Sequence, residues 1–480
     1  MINIDLSAKK PVYHLFELNG KKYILDYRNL FYSELDDILF SLFRYVQNGN
    51  INELYGADSN LVSAEETIVN LYNNGIFFTE KTALERQEYE DAYISLAPVH
   101  NCNLRCKYCF AEHGNNYSGD TKCFSNGNLI QALEFLYLHY FKGIKKFRID
   151  FVSGGEPLMA FDVIGNVIEF CEKMQRDYGI TSKFWLCTNG TICEDKYFRI
   201  LDKKKFNIGL SLDGPKEVHN KNRIFPSGKG SYENVKMTYE YIQSNNDFSR
   251  NFKNIWGLVV ITGQTNSLVE ILKHHRQMGF NNIQMKIVRS VDPELTVDSN
   301  NLEKIKRLYN ELFEFFVENI QDGDSEHLKM IVNDNDYFGK IIRRLIIRTV
   351  VANRCQAGKN KVSLTADGKL YPCDSFVGNE SFVIGDALKG VKKSDNSICN
   401  VFCSDRESCK ECWARYLCGG DCFHNSLLKN GNHLIPDETF CKLEKHLIEL
   451  SVALLCELNM NAPQLYVDLK KRLEMELKTR

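Results

Sequence analysis

Six short runs rich in aliphatic and β-branched residues, 92–99, 146–152, 183–188, 207–212, 255–261 and 283–288, alternate with segments whose apolar residues recur at helical spacing. A strand followed by a helix and another strand returns as a parallel neighbour, so this alternation predicts an α/β domain built on a parallel sheet. Functional residues of such sheets gather at the C-terminal ends of the strands. Six units are too few to close an eight-unit barrel, and the expected architecture is a partial (β/α)6 barrel. Asn101-Cys102, Gly154-Gly155, Asn189-Gly190 and Asp213-Gly214 all follow strand-like runs, where this geometry would build a site.

The 480 residues exceed what one hydrophobic core usually organises. Ahead of the barrel, runs 13–18 and 22–25 flank Asn19-Gly20, a dipeptide suited to the positive φ angles of a tight hairpin turn. Stretches 33–45 and 64–72 read as helices, and Gly75 to Phe78 as a closing strand or turn. The charged stretch 80–91 marks a boundary. From about residue 320 the alternation fades into a Cys- and Gly-rich region that runs to Cys441 and ends in a helical tail. The expected division is therefore a small β-plus-helix module at 1–88, the barrel at 89–320 and the Cys-rich region at 321–480.

Charge excludes some partners. The 60 Lys and Arg residues nearly balance the 62 Asp and Glu residues, which removes any global attraction for nucleic acid or an anionic membrane. No run approaches a bilayer span, and Met1 to Lys10 lacks the apolar core of a signal peptide, so a cytoplasmic location is expected. Seventeen cysteines in that compartment argue for metal ligation rather than disulfides. Three lie between Cys102 and Cys109 and ten from Cys355 onward, a distribution that implies separate sites at the two ends of the chain. Cys123, Cys171, Cys187, Cys193 and Cys456 stand alone and read as small buried apolar residues.

Cys102-Asn-Leu-Arg-Cys106-Lys-Tyr-Cys109 sets three thiols at CxxxCxxC spacing in the loop after the first strand. Three thiolates can hold three irons of a cubane and leave the fourth iron open to a small chelating molecule. A zinc site completed by His100 or His113 is the alternative. The spacing, with Tyr108 at its aromatic position, resembles the signature of the radical SAM superfamily. That resemblance implies that Cys102, Cys106 and Cys109 carry a [4Fe–4S] cluster on which S-adenosylmethionine (SAM) is cleaved to a 5′-deoxyadenosyl radical. It implies that Tyr108 contacts adenine, and that Gly154-Gly155-Glu156-Pro157 is the family's GGEP motif, holding the amino group of the cofactor's methionine. By the same resemblance Ser211 and Arg223 meet the methionine carboxylate, a pairing that a hydroxyl and a guanidinium fork suit, and Asn189 lies near the ribose. Relatives often carry His-Asp where this chain has His219-Asn220.

The pattern Cys355, Gly368, Cys373, Cys409-x2-Cys412-x5-Cys418-x3-Cys422 and Cys441 resembles the seven-cysteine SPASM domain, which implies two auxiliary [4Fe–4S] clusters and hence three in all. Cys409, Cys412, Cys418 and Cys441 would hold the distal cluster, and Cys355, Cys373 and Cys422 the proximal one. Cys403 or Cys399 would complete the proximal set, or a substrate thiolate would. A zinc ribbon on Cys409, Cys412, Cys418 and Cys422 is the alternative, and it leaves Cys355, Cys373 and Cys441 unexplained.

Residues 11 to 80 are similar to the winged-helix-like module with which peptide-modifying relatives bind the leader of a precursor peptide, and an extended leader would add a strand beside Tyr13 to Leu18. Over nearly its whole length the chain is most similar to maturases that form thioethers in Cys-rich ribosomal peptides. Its implied partners are such a precursor and a low-potential electron donor such as a flavodoxin or ferredoxin. A carbon–carbon cross-linking enzyme, an anaerobic sulfatase maturase and an iron–sulfur electron-transfer or binding protein are the other readings.

Overall fold

The structure is a computed structural model and describes residues 9–48, 60–79, 90–117, 122–152, 154–393, 398 and 400–478. Most of the charged boundary stretch 80–91, and Cys399, lie outside the described residues.

At the N-terminus, β1 (Lys10–Pro11) pairs with β5 (Phe78–Thr79), and β2 (Tyr13–Leu18), β3 (Lys21–Asp26) and β4 (Tyr32–Leu35) form an antiparallel sheet in that order. The β2–β3 turn is the one expected, with Asn19 and Gly20 at φ 50° and 76°. Residues 33–45 are not one helix: Ser33 pairs with Ile24 and Glu34 with Tyr23, so β4 takes the first residues and the helix begins at Asp37. Pairing with β3 overrides a helical period that four residues cannot establish.

The alternation of β3 splits its burial between two cores. Ile24, with Tyr13, Phe43, Ile68 and Phe78, closes a core inside the module, whereas Tyr23 and Leu25, with Phe16, join the main core of the molecule. The His14 ring stacks on Trp413 at 3.7 Å and its Nε2 meets Glu449 at 2.9 Å, which ties the module to the C-terminal region.

All six predicted barrel strands are present as β6 (Asp91–Leu96), β7 (Lys146–Phe151), β8 (Thr181–Thr188), β9 (Asn207–Ser211), β10 (Trp256–Ile261) and β11 (Asn282–Ile287), parallel and adjacent in sequence order. Helices Phe161–Tyr178 and Leu268–Met278 end in left-handed Gly179 and Gly279, which return the chain to the sheet. The sheet does not stop at β6. β12 (Lys361–Leu364) joins it in parallel, Val362 opposite Ile94, and β13 (Lys369–Tyr371), β14 (Gly385–Asp386) and β15 (Val391–Lys392) extend it to ten strands. The Cys-rich region is therefore carried on the edge of the barrel sheet. Helix Glu438–Asn461, which contains Cys441, packs against helix Leu302–Gln321 and the module.

Among the described residues every cysteine is a free thiol, and no helix is long and apolar enough to cross a membrane.

Asp26 is fully buried and accepts from the amides of Arg28 and Asn29 at 2.8 Å and of Phe77 at 2.9 Å, which pins β3 to the end of the module. Asp26→Ala is expected to speed hydrogen exchange at these amides roughly tenfold or more, since each is left buried without an acceptor. Peptide-level exchange mass spectrometry over residues 24–30 and 74–79 would register it, with β6 to β11 unchanged.

Candidate active site

Three loops at the C-terminal ends of β6, β7 and β8 meet with no space between them. A Cβ on Gly155 would stand 1.8 Å from Asn101 O, so only glycine allows the backbone approach in which Glu156 N donates to Asn101 O at 3.0 Å. Gly154 adds a φ of +81°, and a Cβ there would lie 2.6 Å from that of Ala97. The Glu156 carboxylate is buried and accepts from Thr188 Oγ1 and Asn189 N, each at 2.7 Å, and from Leu158 N at 3.1 Å. Burial raises it to about 7 against the pull of these donors. Glu156 is thus a brace between β7 and β8.

Asn189, held by that brace, donates to Asn103 Oδ1 at 2.8 Å and reaches Cys102 Sγ at 3.7 Å. The loop's own amides face sulfur as well, Leu104 N at 3.5 Å from Cys102 Sγ and His113 N at 3.3 Å from Cys109 Sγ. Cys102, Cys106 and Cys109 lie within electrostatic reach of one another. Burial pushes Cys106 up to about 12, with Arg223 working the other way. Such thiols give up their protons when a metal centre replaces them, so loading and deprotonation are coupled. Among the described residues no three or more His, Cys, Asp or Glu side chains close on a single-ion site. His113 Nε2 faces Cys106 O at 3.0 Å and the His100 ring stacks on Tyr117.

Arg223 reaches this site by an unexpected route. The backbone of its segment pairs with the cysteine loop, Lys107 N to Asn222 O at 3.0 Å and Arg105 N to Ile224 O at 2.7 Å. Its Nε donates to Asp213 Oδ2 at 3.1 Å, its guanidinium carbon lies 5.3 Å from the Tyr108 ring centroid, and the Tyr108 hydroxyl donates to the same carboxylate oxygen. Asp213 was missed as a functional residue although it follows Ser211 by two positions in Ser-Leu-Asp-Gly-Pro, because its partner is ten residues on. His219 accepts from Asp213 N at 3.3 Å through Nδ1, so its Nε2 donates to Ser231 Oγ at 2.9 Å, which in turn donates to Arg223 O at 3.0 Å. Ser211 ends β9, half-buried and opposite Leu258.

Parallel register places Tyr93, Asp150, Trp185, Gly209, Ser211, Val260 and Lys286 on one face of the sheet, the barrel lumen, and β12 adds Lys361 beside Tyr93. Beyond the end of β11 a cavity of about 300 Å³ is lined by Lys286, Arg289, Lys361, Cys355, Cys373 and Cys422 among others. These three cysteines interact electrostatically, with Cys373 pushed up by burial to about 12. Cys409, Cys412 and Cys441 form a second interacting set, and Cys418 adjoins Cys441. Cys403 lies within electrostatic reach of Cys409.

Residues 96–275 match the radical SAM superfamily. The chain is 27% identical over 347 residues to a cysteine-type anaerobic sulfatase-maturating enzyme of Clostridium perfringens, covering 67% of this chain and 85% of the relative. It is 23% identical over 432 residues to the radical SAM cyclopropyl synthase TigE of Paramaledivibacter caminithermalis, covering 85% and 84%. The fold resembles that of native anSMEcpe with bound AdoMet, with a TM-score of 0.60 and 21% identity over 77% of this chain and 99% of that one.

Gly155→Ala forces the loops at Asn101 and Glu156 apart, and it is expected to lower SAM affinity roughly tenfold or more, measured by equilibrium dialysis of anaerobically reconstituted protein. Residues 96–275 thus carry the match to the radical SAM superfamily, and the chain that carries it is an enzyme.

Proposed function

We propose that the protein is a radical SAM maturase that joins a Cys sulfur to a carbon of another residue in a ribosomally made, Cys-rich precursor peptide. The observation that carries this reading is the chamber at the end of β11, whose wall sets Cys355, Cys373 and Cys422 together with Lys286 and Lys361 of the lumen face.

In this reading Cys102, Cys106 and Cys109 hold the first [4Fe–4S] cluster, and Cys355 to Cys441 hold two auxiliary ones. With SAM bound, the first cluster supplies a radical able to take a hydrogen atom from carbon. The protein's own contribution is placement. Gly154 and Gly155 expose backbone to the methionine moiety, Arg223 offers the outer edge of a guanidinium whose Nε is anchored on Asp213, and Ser211 faces the lumen. Tyr108 and Asn189 flank the nucleoside, and the braced loops exclude water. Cys422, Cys373 and Cys355 lie beside the cations Arg289 and Lys361, which favour thiolate.

The leader would dock on the N-terminal module, where β2 is an edge strand and can accept another. A flavodoxin or ferredoxin would supply electrons. A second reading, oxidation of a Cys to formylglycine, is favoured by the sulfatase-maturating relatives. Against it stands the length of the chain, about a quarter of which lies outside the likeness to the sulfatase-maturase fold.

Reconstituted protein with dithionite and SAM is expected to release 5′-deoxyadenosine, and Cys102→Ala to abolish it. With a Cys-containing precursor peptide as substrate, the thioether reading requires loss of two hydrogens per cross-link and a Cys that no longer alkylates. Formylglycine would instead remove the sulfur and leave an aldehyde. Unchanged peptide alongside normal 5′-deoxyadenosine formation would exclude both.

A further inference from the structure

The chamber's wall carries the carboxylates Asp334, Asp336, Asp374, Asp421 and Asp437 as well as cations. Of the cations on its wall, Lys361 Nζ stands 3.3 Å from Asp374 Oδ1, and Arg289 donates to Ser375 Oγ at 2.5 Å, with the Cys422 thiol as its principal electrostatic partner. Deeper in, Lys340 and Arg354 share Glu444 at 3.2 and 3.3 Å. In the lumen itself Arg148 is paired with Asp150 at 2.5 Å. Lys286 alone among these makes no ion pair and no side-chain hydrogen bond among the described residues.

Its position is specific. Lys286 stands opposite Val260 near the C-terminal end of β11, on the lumen face, and it is open to the chamber. The charged and titratable groups that face it are Cys187, Arg289, Lys361 and Asp374. Cys187 is no counter-ion: burial raises it to about 11, and its sulfur accepts from Trp185 Nε1 at 3.0 Å. Three cations thus face one carboxylate, and that carboxylate is bound to Lys361. Arg289 and Lys361 add like charge beside the Lys286 ammonium, which an arriving anion would offset.

We infer that Lys286 is a specificity-determining residue that receives a carboxylate of the substrate, an Asp or Glu side chain of the peptide, and holds the adjoining carbons in the lumen beside Trp185. The inference rests on the reading that a peptide enters the chamber. Lysine suits the role because one flexible point charge follows a carboxylate on a short or a longer side chain. Asp150 and Asp374, both already paired, would turn away a carboxylate placed further in, which limits the anion to the β11 side.

The test compares N-acetyl-aspartate N-methylamide with its asparagine counterpart, which differs in charge and scarcely in shape. Binding to the reconstituted holoenzyme with SAM is measured by calorimetry. Wild type is expected to prefer the aspartate compound roughly tenfold or more, Lys286→Gln to lose that preference, and Lys286→Arg to keep it. Equal affinity of wild type for the two compounds overturns the inference, whatever the variants do. So does a preference that survives in Lys286→Gln. Iron content and melting temperature of the variants separate loss of the charge from loss of the fold. Failure of the maturase reading has a different signature, since no peptide would then be modified while the aspartate compound still bound.

Discussion

The approach of Gly155 to Asn101 is the contact on which the site depends. Two loops from adjacent parallel strands are pressed together until no side-chain atom fits between them. Glu156 then fixes the third loop through Thr188 and Asn189, and Asn189 reaches back to Cys102. The cysteine triad is thus held by neighbours from β7 and β8 as much as by its own loop. A parallel sheet makes this possible because all of its loops of one kind emerge on the same edge.

A second constraint is the burial of charge. Arg223 and Asp213 are both enclosed, and the pair is sustained by the Tyr108 hydroxyl, by Val260 N at 3.1 Å and by the His219–Ser231 relay to the Arg223 carbonyl. Such a pair costs desolvation that only a complete set of partners offsets. The auxiliary region follows the same rule with Glu444 between Lys340 and Arg354, close to Cys418. Lys286, open to the chamber, has no such partner among the described residues.

The carriage of the Cys-rich region on β12 changes how the molecule is understood. Residues 321–480 read as a separate unit after the barrel, yet β12 pairs with β6, the strand that precedes the triad. The chamber wall and the radical SAM loops therefore share one sheet. Likewise the N-terminal module shares Phe16, Tyr23 and Leu25 with the main core, and His14 lies against Trp413, next to Cys412. Pairings between residues more than 250 positions apart leave no local mark in a sequence.

Local chemistry was legible without coordinates. Alternating runs gave all six barrel strands, Asn19-Gly20 gave the hairpin, and the spacing of Cys102, Cys106 and Cys109 gave the triad, because each depends on residues near one another in the chain. The same locality misassigned 33–45, where β3 supplies the partner of β4, and it left Asp213 unnoticed beside Arg223. It could not show that Cys403 neighbours Cys409, nor that Cys187 lies next to Lys286. Sequence by itself determined which residues bear the chemistry. Which of them face one another was decided by the sheet, since register and burial, and not spacing, set the distance between side chains on different strands.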